Sequence, residues 1–307
     1  MAYLKKDLIN VSKLYYYENK TQQEIAHGLG RSRVAVTRML RAAQLRGIVQ
    51  IHIDDGEEDS SVERRFKARF GLKKAVLVKD DSRPGDNALL LEAARYIEQT
   101  IQDGDIIGLG WGAAVAGVVD HMTGKKKKNA VVVPVIGGVN ETEHIYNLNE
   151  LAQTTAKKMQ CRHHLLYAPI IVTQKETRDA IMSDSTVASV CGYWSKLDVL
   201  VVGIGALKSK MPEALREYLI KNPMDFEQLG VSGEICYNMF DQQGNNIITS
   251  MDNSLIRISY NDIKETPLTI AVAWGDAKVL AIISALNSGA VDVLVTYEKT
   301  ALRMLAL

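Results

Sequence analysis

The sequence is short of the residues that build metal centres and disulfide frameworks. Its three cysteines, Cys161, Cys191 and Cys236, stand far apart and include no C-x-x-C pair, which excludes a thiolate zinc site or dithiol motif of the usual spacing. They are expected to be buried thiols in a reducing cytoplasm, with no metal and no cofactor. No apolar run approaches the roughly 20 residues that a membrane helix needs. The opening MAYLKKDLIN has no apolar stretch of the signal-peptide kind, so a cytoplasmic location is expected. Three catalytic signatures are also missing. There is no G-x-S-x-G nucleophile elbow. His144, His163 and His164 fall in no H-E-x-x-H spacing, and no G-x-x-x-x-G-K-[ST] loop occurs. Internal repeats and low-complexity tracts are absent too.

What is present suggests about two domains in 307 residues. The formal net charge of +1 conceals an asymmetry: residues 1–53 hold nine Lys/Arg against three acids, a balance of +6, and the remainder carries −5. A small basic module joined to a mildly acidic body suits phosphate-backbone binding by the module and regulation by the body. The near-neutral total argues against general coating of nucleic acid.

The basic module centres on TQQEIAHGLGRSRVAVTRML, residues 21–40. Thr21 and Glu24 form a T-x-x-E capping box, which predicts a helix from Gln22. Ile25, Ala26 and Leu29 share a face of it, with the small Ala26 where a second helix crosses. Gly30 supplies the turn. Ser32 caps a second helix predicted from about Arg33 to about Arg46, with Gly47 as its stop. Val36, Met39, Leu40 and Ala43 follow core-facing spacing. Ser32, Arg33, Val34, Thr37, Arg38 and Arg41, with Thr21 and Gln22 at the start of the first helix, are the candidate DNA-binding residues. Their hydroxyl, amide and guanidinium groups suit phosphates and base edges in a major groove. The competing reading is an amphipathic helical hairpin with a solvated basic face. A helix over 5–18 precedes it; Tyr15, Tyr16 and Tyr17 either pack against neighbouring helices or reach phosphates. Residues 48–53 alternate like a strand and predict a short wing.

The module is placed at 1–55 and the large domain at 56–307, with residues 56–71 as a connector helix. Val62, Phe66 and Phe70 form its narrow apolar stripe, which fits either the domain's own body or a partner helix. From 75 onward strands and helices alternate. Strands are predicted at 75–78, 105–109, 130–136, 165–167, 199–202, 268–273 and 291–295. Helices are predicted at 88–102, 113–122, 148–159, 177–182, 185–194, 212–221, 277–287 and 299–305. Val, Ile and Leu runs without polar alternation mark strands buried on both faces, hence a mostly parallel, Rossmann-like α/β sheet. Residues 235–240 and 246–249 read as a hairpin added to that sheet.

In such sheets ligands sit beyond the carboxyl ends of the strands. Glycine-marked loops recur there: Gly108 to Ala113, Gly137 to Asn140, Gly203 to Ala206, Gly233-Glu234, Ser250 to Asn253 and Gly275 to Lys278. The first matches the loose dinucleotide pattern G-x-G-x-x-A. A nicotinamide site needs an acid at the end of the next strand, and the first acid there is Glu141, beyond Gly137-Gly138. A dehydrogenase is therefore disfavoured, and tight turns alone are the plain alternative. Glu234, Asp252 and Asn253 can accept bonds from sugar hydroxyls, and Lys278 can meet a phosphate or carboxylate. Together these loops point to a polar, anionic ligand.

Taken in order, YYYENKTQQEIAHGLGRSRVAVTRML, DGDIIGLGWGAAV, VVPVIGG, NLNEL, LDVLVVGIGAL, VSGEICYNMFDQQGN and LVTYEKTALRML resemble the SorC family of bacterial sugar-responsive transcriptional regulators across nearly the whole chain. The resemblance implies a helix-turn-helix domain and an effector domain. The effector domain is similar in fold to glucosamine-6-phosphate deaminase and ribose-5-phosphate isomerase, and binds sugars without turning them over. It implies a tetramer on repeated or palindromic operators, with DNA affinity changed by a phosphorylated sugar or related polyol. Carried over by position, the phosphate-cradling turn falls on Gly110, Trp111, Gly112, Ala113 and Ala114. Alanines stand where some relatives have threonines, which leaves only backbone N–H donors there. The next loop falls on Gly137 and Gly138, the polar helix on Asn147 and Asn149, and the basic anchor on Lys278. Gly205 belongs to the same rim, and Glu234 and Asp252 match hydroxyl-reading positions. The expected function is thus effector-controlled regulation of a carbohydrate-utilisation operon, not catalysis. Two rivals stay open: an isomerase- or deaminase-like enzyme with a DNA-binding appendage, and a DNA-binding protein whose large domain only oligomerises.

Overall fold

The structure, a computed structural model, describes residues 3–45, 48–49, 61–79, 87–139, 147–206 and 211–307. The chain divides into two compact units, Met1–Glu58 and Asp59–Leu307. Expectations on Gly47, the wing beyond Val49, residues 56–60, Asn140 and Glu141 fall outside the described residues.

The first unit is three helices, α1 (Lys5–Tyr16), α2 (Gln22–Gly28) and α3 (Arg33–Leu45). They close on Leu8, Val11, Ile25, Ala26, Val36, Met39, Leu40 and Ala43, all buried. The capping box forms as its sequence requires: the Glu24 N–H donates to Thr21 Oγ1 at 3.2 Å and the Thr21 N–H to Glu24 Oε2 at 2.7 Å. Those bonds hold the exposed Glu24 carboxyl below its ordinary range. Gly30 turns the chain at φ +60°. Ser32 Oγ accepts from the Ala35 N–H at 3.2 Å. Tyr15 and Tyr16 pack on the helical core, while Tyr17 is exposed.

The second unit begins with α4 (Ser61–Phe70) and β1 (Lys74–Val78). It continues through α5 (Ala88–Thr100), β2 (Ile106–Leu109), α6 (Ala113–His121), β3 (Val131–Pro134), α7 (Leu148–Met159) and β4 (Arg162–His163). Helices α8 (Lys175–Ser183) and α9 (Ser185–Cys191), strand β5 (Val199–Gly203) and helix α10 (Glu213–Lys221) follow. Next come β6 (Gly233–Ile235), β7 (Asn238–Phe240), β8 (Asn246–Ile247), α11 (Tyr260–Glu265), β9 (Leu268–Val272), α12 (Val279–Asn287), β10 (Val293–Tyr297) and α13 (Glu298–Leu305). Seven strands pair in parallel in the order β1-β10-β9-β5-β2-β3-β4. Alternate residues enter different cores: Leu200 and Val202 one, Val199 and Val201 the other. The sheet is therefore buried on both faces, which is why its strands read as unbroken apolar runs.

Three expectations need correction. No strand forms at 165–167, because the Leu166 backbone is bonded on both sides by the Asn149 amide instead, at 2.9 and 3.1 Å; β4 is the pair Arg162–His163. The last strand begins two residues later than predicted, at Val293; just before it, the Asp292 carboxylate accepts the Thr269 N–H of β9 at 2.8 Å. The hairpin does not join the main sheet. Strands β6, β7 and β8 make a separate antiparallel sheet. The connector's stripe packs on its own body: Phe66 is fully buried, Phe70 lies 4.8 Å from it ring to ring, and Arg69 Nη1 donates to the Met304 carbonyl at 2.9 Å.

Gly137 is fixed by a backbone crossing, since a Cβ there would sit 2.3 Å from the Pro169 carbonyl oxygen. Gly137→Ala is accordingly expected to cost about 3 kcal/mol, the upper part of the overpacking range. A urea titration should show a lower midpoint at unchanged slope.

Candidate effector pocket and nucleic-acid interface

Strand succession reverses between β2 and β5. From β2 the chain moves outward through β3 and β4, and from β5 it moves the other way through β9 and β10. Such a reversal leaves a crevice at the carboxyl ends of the strands, because the following loops diverge. A cavity of about 540 Å³ lies there. It is lined by residues following β2 (Trp111, Gly112, Ala113, Ala114), by the end of β5 (Gly203, Ile204, Gly205) and by the end of β9 (Val272, Ala273, Trp274). Glu234, Cys236 and Tyr237 of the small sheet and Lys278 before α12 complete it.

The first turn of α6 faces this cavity. Its leading backbone N–H groups have no acceptor within the helix, and the helix dipole adds partial positive charge. Gly112 at the cap offers no side chain, so the turn presents bare backbone, a ready seat for an anion. Lys278 lies half-buried with Nζ 2.8 Å from the Ile204 carbonyl oxygen, to which it donates. Burial lowers its ammonium, and the Glu234 charge partly restores it. Burial raises the Glu234 carboxyl, against the Tyr237 N–H donated to it at 2.6 Å and the charges of Lys278 and Arg257. Glu234 lies directly over Gly205, where a Cβ would fall 1.8 Å from Glu234 Oε1. Cys236 is buried, and its thiol is pushed far up by burial; it is a neutral wall, not a nucleophile. Among the described residues no group of three or more His, Cys, Asp or Glu is placed to hold a metal ion.

In the first unit, Thr21, Ser32, Arg33, Val34, Thr37, Arg38 and Arg41 are exposed and Gln22 is partly so. Gln22 and Thr37 meet across the two helices, Thr37 Oγ1 donating to Gln22 Oε1 at 2.8 Å. Tyr15, Lys20, Thr21, Gln22 and Arg33 border one shallow groove beside the start of α2.

A family model described as "Putative sugar-binding domain" matches residues 54–306. The chain is 30% identical to the sorbitol operon regulator of Klebsiella pneumoniae over 307 aligned residues, with 96% of each chain covered. It is 26% identical to the deoxyribonucleoside regulator of Bacillus subtilis, with 95% of each covered. The crystal structure of the full-length sorbitol operon regulator from K. pneumoniae matches with a TM-score of 0.82 at 28% identity, over 99% of this chain and 100% of that one. This chain belongs to the SorC family. It is a transcriptional regulator with a sugar-binding effector domain, and its partners are DNA and a small-molecule sugar.

Within this SorC-family regulator, the cavity gathers seven of the expected effector residues: Trp111, Gly112, Ala113, Ala114, Gly205, Glu234 and Lys278. The other six do not line it. Gly110 is buried behind it, where a Cβ would be 3.1 Å from Cys236 Sγ. Gly137 and Gly138 bridge to 168–170 and Ile256 through backbone bonds. Asn147 caps α7, accepting the Glu150 N–H at 3.1 Å. Asn149 holds the Leu166 backbone. Asp252 accepts from the Thr249 N–H at 2.7 Å and pairs with Arg257. Trp274, Cys236 and Tyr237 were missed by sequence reasoning. Trp274 directly follows a strongly apolar strand and was within reach of the rim argument; the Cys236-Tyr237 pair carries no turn signature.

The exposed face of α3 generates a direct expectation. Arg38→Ala or Arg33→Ala should abolish specific DNA binding in an anisotropy titration and leave effector binding intact. Each lost phosphate contact should also reduce the log–log salt slope by about 1. Parallel loss of both functions contradicts the modular reading.

Proposed function

We propose that the protein regulates a carbohydrate-utilisation operon and that its effector is a phosphorylated sugar or polyol held in the cavity at the ends of β2, β5 and β9. The observation that carries this is the α6 N-terminus and Lys278 opening on one cavity, with Glu234 at its side. A helix N-terminus and a half-buried ammonium favour an anionic group, and a carboxylate accepts hydroxyl hydrogens. Trp111, Gly112, Ala113, Ala114, Gly205, Glu234 and Lys278 are assigned to the effector. Thr21, Gln22, Ser32, Arg33, Val34, Thr37, Arg38 and Arg41 are assigned to the operator. The named relatives, regulators of sorbitol and deoxyribonucleoside systems, support a polyhydroxylated ligand.

Control would work by linkage. The effector binds one quaternary arrangement, proposed to be a tetramer, better than another, and so shifts their populations. Half-sites read by paired helices need spacing near one DNA turn, about 34 Å, or a multiple. A modest subunit rotation therefore suffices to change operator affinity. Turnover of sugar phosphates is not part of this reading, in which Lys278 and Glu234 are assigned to binding.

A thermal-shift screen of the full chain against sugars, polyols and their phosphates tests the proposal. A ligand at 100 times its dissociation constant should add about 2.7 kcal/mol of stability. Lys278→Ala should weaken that shift and the effector's influence on DNA without weakening operator binding itself. An unchanged shift removes Lys278 from the site, and a shift with unphosphorylated sugar alone removes the anion from the effector.

A further inference from the structure

Strands β6 and β7 are joined by only two residues, Cys236 and Tyr237, with Ile235 paired to Asn238 across the turn. Both turn residues have positive φ, +50° and +59°. Two-residue hairpins of this kind favour Asn-Gly or Asp-Gly, because other side chains are strained in that region. Here neither strained position carries Asn, Asp or Gly, and both residues line the effector cavity. The Tyr237 ring lies 5.6 Å from the Trp111 ring, tilted by 56°. The backbone N–H of Tyr237 also holds Glu234 Oε2 at 2.6 Å. One residue thus positions both an apolar ring wall and the carboxylate beside it.

We propose that the Cys236–Tyr237 turn is the specificity-determining element of the pocket, with the mutually tilted rings of Tyr237 and Trp111 forming an aromatic wall whose Tyr237 face meets the C–H face of a sugar ring. This rests on the sugar-effector reading above. A cyclic sugar carries hydroxyls on its rim and C–H groups on its faces, so an aromatic wall beside a hydroxyl acceptor reads both. The wall gives nothing to an inorganic anion, which has no C–H groups, and less to an open-chain polyol, whose C–H groups are not held on one face. Selection among sugars therefore belongs to this turn, and the anion seat at α6 is indifferent to it.

The test is isothermal titration of the full-length protein with a panel of hexose and pentose phosphates, a hexitol phosphate and inorganic phosphate. Tyr237→Phe should keep the wild-type ranking. Tyr237→Asn, which tolerates positive φ, should lose about tenfold for the preferred cyclic sugar phosphate, the worth of one aromatic contact. Its affinity for inorganic phosphate should stay unchanged, and that for the hexitol phosphate should fall less than for the cyclic sugar phosphate. Tyr237→Met keeps apolar volume without a flat face and should show the same selective loss, which guards against a folding defect in the Asn variant. Equal weakening for every ligand, inorganic phosphate included, would overturn the proposal in favour of a packing role. An unchanged ranking in both the Asn and Met variants would overturn it too, with the effector reading left standing. Failure of the wild-type protein to bind any sugar phosphate would remove the effector reading and this inference with it.

Discussion

Everything in the large unit follows from burying a parallel sheet on both faces. Parallel pairing needs crossover connections, and the helices in those connections supply the cover. Once β2 and β5 lie side by side with their successors running in opposite directions, their loops must part, and the crevice between them is filled by neither. The cavity is therefore a by-product of topology before it is a feature of any side chain. What the sequence adds is the lining: glycine and alanine where α6 begins, a lysine before α12, and a small antiparallel sheet whose turn reaches the opening.

The division of labour inside the cavity is physical. The α6 seat is built from backbone N–H groups, whose donors are the same whatever residues surround them. Glu234 and Lys278 are charged groups that burial pushes toward neutrality, an effect only partly offset by each other's charge and, for Glu234, by the Tyr237 N–H. A bound polar ligand with its own charge and hydroxyls would supply partners that a low-dielectric pocket otherwise lacks. The aromatic wall adds an apolar surface to these charged groups.

Legibility in the sequence followed the range of the interactions involved. The helix-turn-helix unit was readable nearly residue by residue, because the Thr21–Glu24 box, Gly30 and the Val36–Met39–Leu40–Ala43 face are local signals. The central strands were readable as apolar runs, since both faces are covered. Reading failed where a distant partner decides. Leu166 sits in an apolar triplet that invites a strand, yet the Asn149 amide from α7 claims its backbone. Asp252 and Asn149 do not line the cavity: Asp252 is engaged by its near neighbours Thr249 and Arg257, and Asn149 by Leu166. The double glycine at 137–138 looked like a loop opened for a ligand, whereas Gly137 is needed where the chain passes Pro169. Conversely, Cys236 and Tyr237 gave no turn signal, because the residues that ordinarily mark such a turn are replaced by ones that fill a cavity.

The contact between Thr37 and Gln22 has a consequence for how DNA is met. It ties the start of α2 to the middle of α3 through side chains on the surface proposed to meet the operator. Their rotamers are restrained before any duplex arrives, so less conformational freedom is lost on docking.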